Sequence, residues 1–339
     1  MGVILGDKID RVETFVPRRL LRGAHRMTIT AWALPRRYLP VPTPEARRIR
    51  VAPDTEVLAH CHWQADRASA PTLLLLHGLS GSSRSHYVRG LAGKVWAQGW
   101  NVVRLNQRNC GGTEALAPGL FHAGLTHDPG VVLETLIRDD GVTAVVIAGY
   151  SLGGNLALKL AGEYGAAAPA ALRGVVAVSP IIEVGDCTRA LEADGNWPYE
   201  WLFVRDLKAQ MHRKARHHPG RFDLSVLTDV RTVRGFDDRV TAPHFGFRDA
   251  DDYYHHASAM RVIDQIRVPA CIVTAEDDPF VPVAQFTRPT VATHPHLELI
   301  VTRHGGHCGF LTRASGDDDG YWAERQVLRF AMRVAPRLH

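Results

Sequence analysis

The sequence predicts an α/β fold built on a mostly parallel, doubly wound sheet. Short apolar runs recur along the 339 residues, and segments long enough for helices separate them. The runs are continuous rather than alternating, which indicates strands that are covered on both faces. With 45% hydrophobic and 22% charged residues, the chain can bury a substantial core. These observations favour one large domain with an insertion, or two domains.

Six apolar runs are predicted to be core strands: residues 72–78, 100–106, 144–150, 174–180, 270–276 and 298–304. Helices are predicted on both faces of this sheet, over residues 85–98, 129–138, 152–164, 257–265 and 321–334. Two earlier segments, RRIRVAP and VLAHCHW, are predicted to pair as a leading antiparallel hairpin. The order of the elements therefore fits a doubly wound sheet with a hairpin at its start.

The alternation breaks over residues 181–257, which are polar and rich in His, Arg and Asp. Ligands of open α/β sheets bind beyond the carboxyl ends of the strands, so a helical cap inserted there would roof a pocket. The alternative is a surface embellishment. We expect an N-terminal segment that packs on the core (1–50), a first core part (51–180), the cap (181–257) and a second core part (258–339).

Composition argues against several classes of protein. The formal net charge is +5, but the basic residues are spread along the chain instead of forming the stripe of a nucleic-acid binder. Five scattered cysteines without a CxxC pair suit reduced thiols, and therefore a cytoplasmic protein. The start of the sequence lacks the apolar core of a signal peptide, and no run of 18 apolar residues predicts a membrane span.

The segment over residues 16–40 is both basic and apolar, so peripheral contact with a lipid surface is one interpretation of it. Prolines at both ends and the lack of a clean helical stripe favour the other interpretation, a segment that wraps the core.

The stretch Gly149-Tyr150-Ser151-Leu152-Gly153 has the form GxSxG and lies between a predicted strand and a predicted helix. This context is typical of a nucleophile elbow, in which glycines make room for a serine on a sharp turn. The following helix would direct its N-terminal N–H groups towards an anion formed near Ser151. A glycine-rich turn with an incidental serine is the alternative, and the residues that follow disfavour it.

A nucleophilic serine needs a histidine base and a carboxylate that orients it, in the chain order Ser, Asp or Glu, His. Asp277 and Asp278 follow one predicted strand, and Asp278 is favoured as the acid because Pro279 holds it in an extended or turn position. His304 and His307 follow the next strand, and His307 is favoured as the base because glycines flank it.

The backbone N–H groups of Leu79 and Leu152 are predicted to form the oxyanion hole. Leu152 directly follows the nucleophile, and Leu79 lies in the loop after an early strand.

Eight segments resemble one branch of the α/β-hydrolase superfamily, the YheT-like branch, over residues 10–335. They are FVPRRLLRGAHRMT, HGLSGSSRSHYVRGL, RNCGGTE, FHAGLTHD, GYSLGGNLALK, FDDRVTAPHFGFRDADDYYHHAS, AEDDPFVP and HGGHCGF. The resemblance implies an α/β-hydrolase fold and an esterase or lipase with Ser151, Asp278 and His307 as its catalytic triad. It implies no metal and no organic cofactor. Asn109, where relatives often have glycine, and the cap stretch NWPYEWLF depart from the family pattern.

We therefore expect a serine carboxylesterase that hydrolyses short- to medium-chain acyl esters through an acyl-enzyme on Ser151. An acyltransferase, or a lipase or phospholipase with the same triad, is the alternative, and a non-enzymatic binding protein on this scaffold is less favoured. The sequence does not determine the oligomeric state.

Two groups of residues keep alternative interpretations. The paired histidines lack the spacing of a metal site, so solvent-facing or hydrogen-bonded histidines are favoured. The aromatic residues Tyr253, Tyr254, Trp197 and Trp201 could line an acyl pocket or pack within the cap.

Overall fold

The computed structural model describes residues 13–316 and 318–336. The first twelve residues of the predicted N-terminal segment, residue 317 and the last three residues of the second core part lie outside the described residues.

One eight-stranded sheet is the centre of the described fold. Its strands are β1 (Glu45–Ala52), β2 (Thr55–His62), β3 (Thr72–Leu76), β4 (Asn101–Asn106), β5 (Val145–Tyr150), β6 (Leu172–Val178), β7 (Ala270–Ala275) and β8 (Leu297–Thr302). They lie in the order β1-β2-β4-β3-β5-β6-β7-β8. The β1–β2 and β2–β4 pairs are antiparallel and all other pairs are parallel, which confirms the predicted fold class and hairpin.

Helices of the described residues accompany the sheet and form the cap. They are α1 (Ala24–Ala33), α2 (His86–Trp96), α3 (His127–Arg138), α4 (Leu152–Tyr164), α5 (Val184–Leu191), α6 (Trp197–His217), α7 (Val233–Phe236), α8 (Ala242–Phe245), α9 (Ala250–Ala257), α10 (Pro289–Ala292) and α11 (Trp322–Val334). A π-helical segment, Asp237–Thr241, joins α7 to α8.

Both faces of the sheet are covered because successive side chains of a strand point to opposite sides. In β3, Leu73 and Leu75 pack in a cluster with α2 and α11, whereas Leu74 and Leu76 pack in a cluster with α3 and α4. All four leucines are fully buried. The apolar runs are therefore continuous because side chains on both faces of these strands are buried.

The predicted helix over 257–265 is wrong. Helix α9 ends at Ala257, and two short 3-10 turns, Ala259–Arg261 and Ile263–Gln265, follow. Ser258 ends the helix because its hydroxyl donates to Tyr254 O over 2.7 Å and accepts from the Val184 N–H over 2.9 Å. The boundary predicted at residue 50 also falls inside a strand, since β1 begins at Glu45.

Candidate active site

Ser151 stands where β5 turns directly into α4. Its backbone has φ 53° and ψ −119°, a conformation that residues with a side chain rarely adopt. The Ser151 N–H donates to Val178 O over 2.9 Å, and the Asn155 N–H donates to Ser151 O over 3.1 Å. The turn therefore has the geometry of a nucleophile elbow, with its serine at the wall of a cavity.

Gly149 and Gly153 are glycines because the turn leaves no space for a Cβ. A Cβ on Gly149 would lie 2.1 Å from Gly153 O, and a Cβ on Gly153 would lie 2.4 Å from Leu76 O. The same close packing brings the loop after β3 against the serine, since a Cβ on Gly78 would lie 3.3 Å from the Cβ of Ser151.

Asp278 and His307 are in direct contact. Asp278 Oδ2 accepts a hydrogen bond from His307 Nδ1 over 2.9 Å, and Asp278 Oδ1 accepts from the N–H groups of Phe280 and Val281 at 3.2 and 3.0 Å. The Asp278 side chain is completely buried and the His307 side chain is 11% exposed. The carboxylate thus fixes the imidazole ring and leaves Nε2 available to a reacting group.

The charge on Asp278 controls the protonation of His307. Burial lowers the pKa of His307, but the Asp278 carboxylate outweighs burial and raises that pKa above its ordinary value of 6.5. Among the described residues no hydrogen bond joins the Ser151 hydroxyl to His307. The structure therefore joins Asp278 to His307 and, in the part of the chain that it describes, shows no hydrogen bond between His307 and Ser151.

Asp277, the aspartate that the sequence disfavours as the acid, holds the loop that carries His307. Its Oδ1 accepts from the Gly306 N–H over 2.9 Å, and its Oδ2 lies 3.1 Å from His304 Nδ1. Gly306 has φ +55°, so a tight turn next to His307 is tied to Asp277. The sequence places two adjacent aspartates after one strand and two histidines after the next, but it does not show which aspartate faces which histidine.

Helix α1 supports the same loop from the other side. The Thr28 hydroxyl accepts a hydrogen bond from the His307 N–H over 2.8 Å and donates to Ala24 O over 2.7 Å. Met27 is fully buried beneath the loop, where a Cβ on Gly309 would lie 2.7 Å from its Cγ. Sequence reasoning missed Thr28, because no local pattern shows that a segment near residue 28 reaches residue 307.

The N–H groups of Leu79 and Leu152 have no acceptor within residues 13–316 and 318–336. Both residues line the cavity that Ser151 lines. The loop that carries Leu79 is fixed on both sides: the Gly78 N–H donates to Tyr87 Oη over 2.9 Å, and His77 Nδ1 lies 2.8 Å from Gly78 O. Burial lowers the pKa of His77 to about 4, so the neutral ring donates from Nδ1 and accepts the Gln107 N–H at Nε2.

Comparison with known proteins identifies the family. A model of the alpha/beta hydrolase fold matches residues 71–314. The Escherichia coli (strain K12) protein named "Putative esterase YheT" is 33% identical over 302 residues, which cover 88% of this chain and 87% of that protein. The chain belongs to the α/β-hydrolase family. Within it, the match to YheT places this hydrolase in the YheT-like branch.

Relatives and solved structures agree with this assignment. Phospholipase ABHD3 of Mus musculus is 29% identical over 250 residues, 74% of this hydrolase and 60% of the mouse protein, so the chain spans less than two thirds of that relative. In structure, the 2,6-dihydroxy-pseudo-oxynicotine hydrolase superposes with a TM-score of 0.59 at 17% identity, covering 87% of this chain and 69% of its own. The Pyrococcus furiosus esterase Pf2001 superposes with a TM-score of 0.55 at 16% identity, covering 89% and 99%. These two structural similarities show that this chain and the two solved proteins share a fold.

A cavity of about 120 Å³ lies between the cap and the sheet of the hydrolase. Its wall is mostly apolar, with Leu207 and Met211 of α6 on the cap side and Leu79 and Ser151 on the core side. Tyr253 lines this cavity, whereas Trp197 and Trp201 are 68% and 56% exposed on the surface. Of the four aromatic residues in this group, Tyr253 therefore lines the pocket, Tyr254 is buried in the cap, and the two tryptophans face solvent.

Lys214 ties the cap helix α6 to the core at one end of the cavity. Its buried Nζ donates to Asn109 Oδ1 at 2.7 Å, to Glu114 O at 3.0 Å and to Ala117 O. Burial lowers its pKa to about 8. Asn109 adopts φ +62°, a left-handed conformation that asparagine tolerates better than most residues.

Asp237 lies on the π-helical segment and lines the same cavity. Thr241 Oγ1 donates to its Oδ1 over 2.7 Å, and Tyr254 Oη donates to its Oδ2 over 2.8 Å. Burial raises the pKa of Asp237 to about 7, although the two hydrogen bonds act in the opposite direction.

Two histidines outside the site, His60 and His62, have other partners. His60 Nδ1 lies 2.9 Å from Ser83 Oγ, and His62 Nε2 lies 3.1 Å from an Arg104 guanidinium nitrogen. In the part of the chain that the structure describes, no three His, Cys, Asp or Glu side chains are grouped to hold a metal ion. None of the described helices has the length and hydropathy of a membrane span.

Proposed function

We propose that this α/β-hydrolase is a serine carboxylesterase that acts on short- to medium-chain acyl esters. The proposal rests on one juxtaposition above all: a serine on a strained elbow lines a cavity that Leu79 and Leu152 also line, and the backbone N–H groups of these two leucines have no acceptor among the described residues. Such an arrangement suits a reaction that develops negative charge on a carbonyl oxygen next to a nucleophile.

In the proposed mechanism, Ser151 Oγ attacks the acyl carbonyl carbon and its proton passes to His307 Nε2. Asp278 holds the Nδ1–H and stabilises the imidazolium, and the N–H groups of Leu79 and Leu152 donate to the oxyanion. His307 then returns the proton to the leaving alcohol, and the acyl group stays on Ser151. Water activated by His307 releases the acid and restores the serine.

Two features support an ester with an apolar acyl group. The cavity beside Ser151 is lined mostly by aliphatic and aromatic side chains. Two relatives are named phospholipase ABHD3 and, in Saccharomyces cerevisiae, monoacylglycerol lipase, and both names indicate lipid substrates. A lipase or phospholipase activity with the same triad is therefore the second candidate. A series of p-nitrophenyl esters separates the two, since a short-chain preference indicates a closed pocket and a long-chain preference a lipase-like groove.

We include a cytoplasmic location in the proposal. All five cysteines are free, and four of them are buried. Reduced thiols suit a reducing compartment.

The decisive experiment replaces Ser151. Ser151→Ala should lower p-nitrophenyl ester hydrolysis by about 10⁵–10⁶-fold and abolish labelling by a fluorophosphonate probe, because the nucleophile is gone. The matched control is Ser69→Ala, an exposed serine in the loop between β2 and β3. Full activity of the Ser151→Ala protein, or a wild-type protein that the probe fails to label, would contradict the proposal.

A further inference from the structure

The segment that precedes the sheet has an unusual charge. Residues 14–44 contain six arginines and no aspartate or glutamate. Arg36 is used internally, where it pairs with Asp319 and Glu324. The other five are exposed, and their side chains have no acidic partner among the described residues: Arg18, Arg19, Arg22, Arg26 and Arg37. Within residues 13–316 and 318–336, no acidic side chain pairs with the positive charge that these five arginines present to solvent.

Exposed apolar side chains concentrate in the same region. Seven of the eight large apolar side chains that are exposed in the described residues belong either to this segment or to the start of cap helix α6. They are Leu20 (82% exposed), Trp32 (71%), Trp197 (68%), Val16 (63%), Trp201 (56%), Ile29 (50%) and Leu39 (42%). The eighth, Met332, lies on α11.

Helix α1 divides these side chains cleanly between core and solvent. Met27 and Ala31, four residues apart, face the core. His25, Ile29 and Trp32 follow one another at spacings of four and three residues, so they share the opposite side of the helix.

The start of α6 meets this side of α1. The His25 ring stacks on Tyr199 with centroids 5.7 Å apart. Trp197 and Trp201 are four residues apart on α6 and share its outer side. We call the exposed residues of 16–39 together with Trp197 and Trp201 the basic–aromatic face.

We propose that the basic–aromatic face docks this hydrolase on an anionic lipid surface. Tryptophan and aliphatic side chains flanked by arginine are the chemistry that enters the headgroup region of a bilayer, and each unpaired arginine is attracted to anionic headgroups. A second copy of the chain is a poor occupant because it would set arginines against arginines. The acids closest in sequence to the two tryptophans that are not buried, Glu192, Asp194 and Asp206, do not offset five arginines, and Asp206 already pairs with Arg205.

The face lies next to the candidate base. Thr28 of α1 accepts the His307 N–H, as described above. A chain of ring contacts also leads inward from His25 to Tyr199, from Tyr199 to Phe280 at 5.4 Å, and from Phe280 to His307 at 4.1 Å. Docking would therefore place the lipid surface near His307, with the rings of Tyr199 and Phe280 between His25 and His307.

Sedimentation with sucrose-loaded vesicles tests this proposal. The wild-type protein should sediment with vesicles of phosphatidylcholine and phosphatidylglycerol at low salt, bind phosphatidylcholine vesicles at least about tenfold more weakly, and be released by high salt. Leu20→Ser with Trp32→Ser, and separately Arg18→Gln with Arg19→Gln, should each weaken binding to the anionic vesicles by about tenfold or more. The matched controls are Met332→Ser and Arg173→Gln, which alter exposed groups outside the face and should bind like wild type.

Several results would overturn the proposal: no sedimentation at low salt, equal binding to both kinds of vesicle, double variants that bind like wild type, or an equal loss in the control variants. A wild-type dimer in sedimentation velocity that Leu20→Ser/Trp32→Ser disperses would instead assign the face to a second copy. Circular dichroism and thermal unfolding verify that each variant is folded. The inference does not rest on the proposed esterase activity, since the Ser151→Ala protein should bind vesicles like wild type.

Discussion

Two neighbouring carboxylates perform different tasks at the residue scale. Asp278 is completely buried against His307, whereas Asp277 is 20% exposed and ties His304 and the Gly306 turn. Pro279 made Asp278 the better candidate from the sequence alone. The task of Asp277 could not be predicted, because it depends on how two loops meet after β7 and β8 have paired.

Asp278→Asn should separate these tasks. It should lower kcat/KM by about 10³–10⁴-fold, because the amide no longer stabilises the imidazolium. It should also shift the pH profile. The base must be neutral, and Asp278 raises the pKa of His307, so wild-type activity should rise with pH along a limb that lies above pH 6.5. Without the carboxylate, burial lowers that pKa and the limb should move to lower pH.

The matched control for this prediction is Asp277→Asn. Profiles of kcat/KM against pH for the two variants decide between the aspartates. If the limb of the kcat/KM profile shifted in Asp277→Asn and stayed in place in Asp278→Asn, Asp277 and not Asp278 would be the partner of His307.

At the scale of elements, strands were easier to predict than contacts between elements. Each of the six predicted core strands begins and ends within about two residues of an observed strand, because a continuous apolar run is the direct record of burial on both faces. The helix predicted over 257–265 failed because Ser258 bonds its own helix end. The exposure of Trp197 and Trp201 also could not be predicted, because the sequence of a cap helix does not show whether an aromatic side chain faces the pocket or the solvent.

Helix α1 should position the catalytic loop through a single hydroxyl. Thr28→Val removes the acceptor of the His307 N–H, and leaving such a group unpaired costs about 1–3 kcal/mol. We expect kcat for p-nitrophenyl butyrate to fall about tenfold with KM nearly unchanged, because the base and not the pocket is displaced.

Thr28→Ser keeps the hydroxyl and should restore most of kcat. Thr30→Val, on the same helix, is the matched control and should behave like wild type. If kcat stayed low in Thr28→Ser, or if Thr30→Val lowered kcat as much as Thr28→Val does, Thr28 would not be the residue that positions the loop.

At the scale of the whole molecule, the cap and the sheet share one core. A single apolar cluster runs from Val57 of β2 and Ile147 of β5 to Leu207 of α6, Phe236 of α7 and Tyr254 of α9. The sequence predicted a cap as a separate unit from its break in rhythm, but periodicity does not report which surfaces two units bury against each other. Because the cluster is continuous, we expect the cap to unfold together with the sheet.

A buried acid in the cap should therefore affect the stability of the whole protein. The ordinary pKa of an aspartate is 3.8 and burial raises that of Asp237 to about 7, so the folded state binds more protons than the unfolded state between these values. Asp237 by itself should lower the free energy of unfolding across this window, by up to roughly 4 kcal/mol, and this contribution should persist at higher pH. Asp237→Asn carries no such charge, and Tyr254 can turn its hydroxyl to suit the amide.

Urea unfolding at about pH 5 and about pH 8 measures this effect. The free energy of unfolding of Asp237→Asn should increase relative to that of the wild type as pH rises, whereas that of Asp229→Asn, which changes an exposed cap aspartate, should keep the same difference from the wild type. If the difference between wild type and Asp237→Asn were the same at both pH values, or if the cap unfolded in a separate transition, the coupling of Asp237 to the shared core would be wrong.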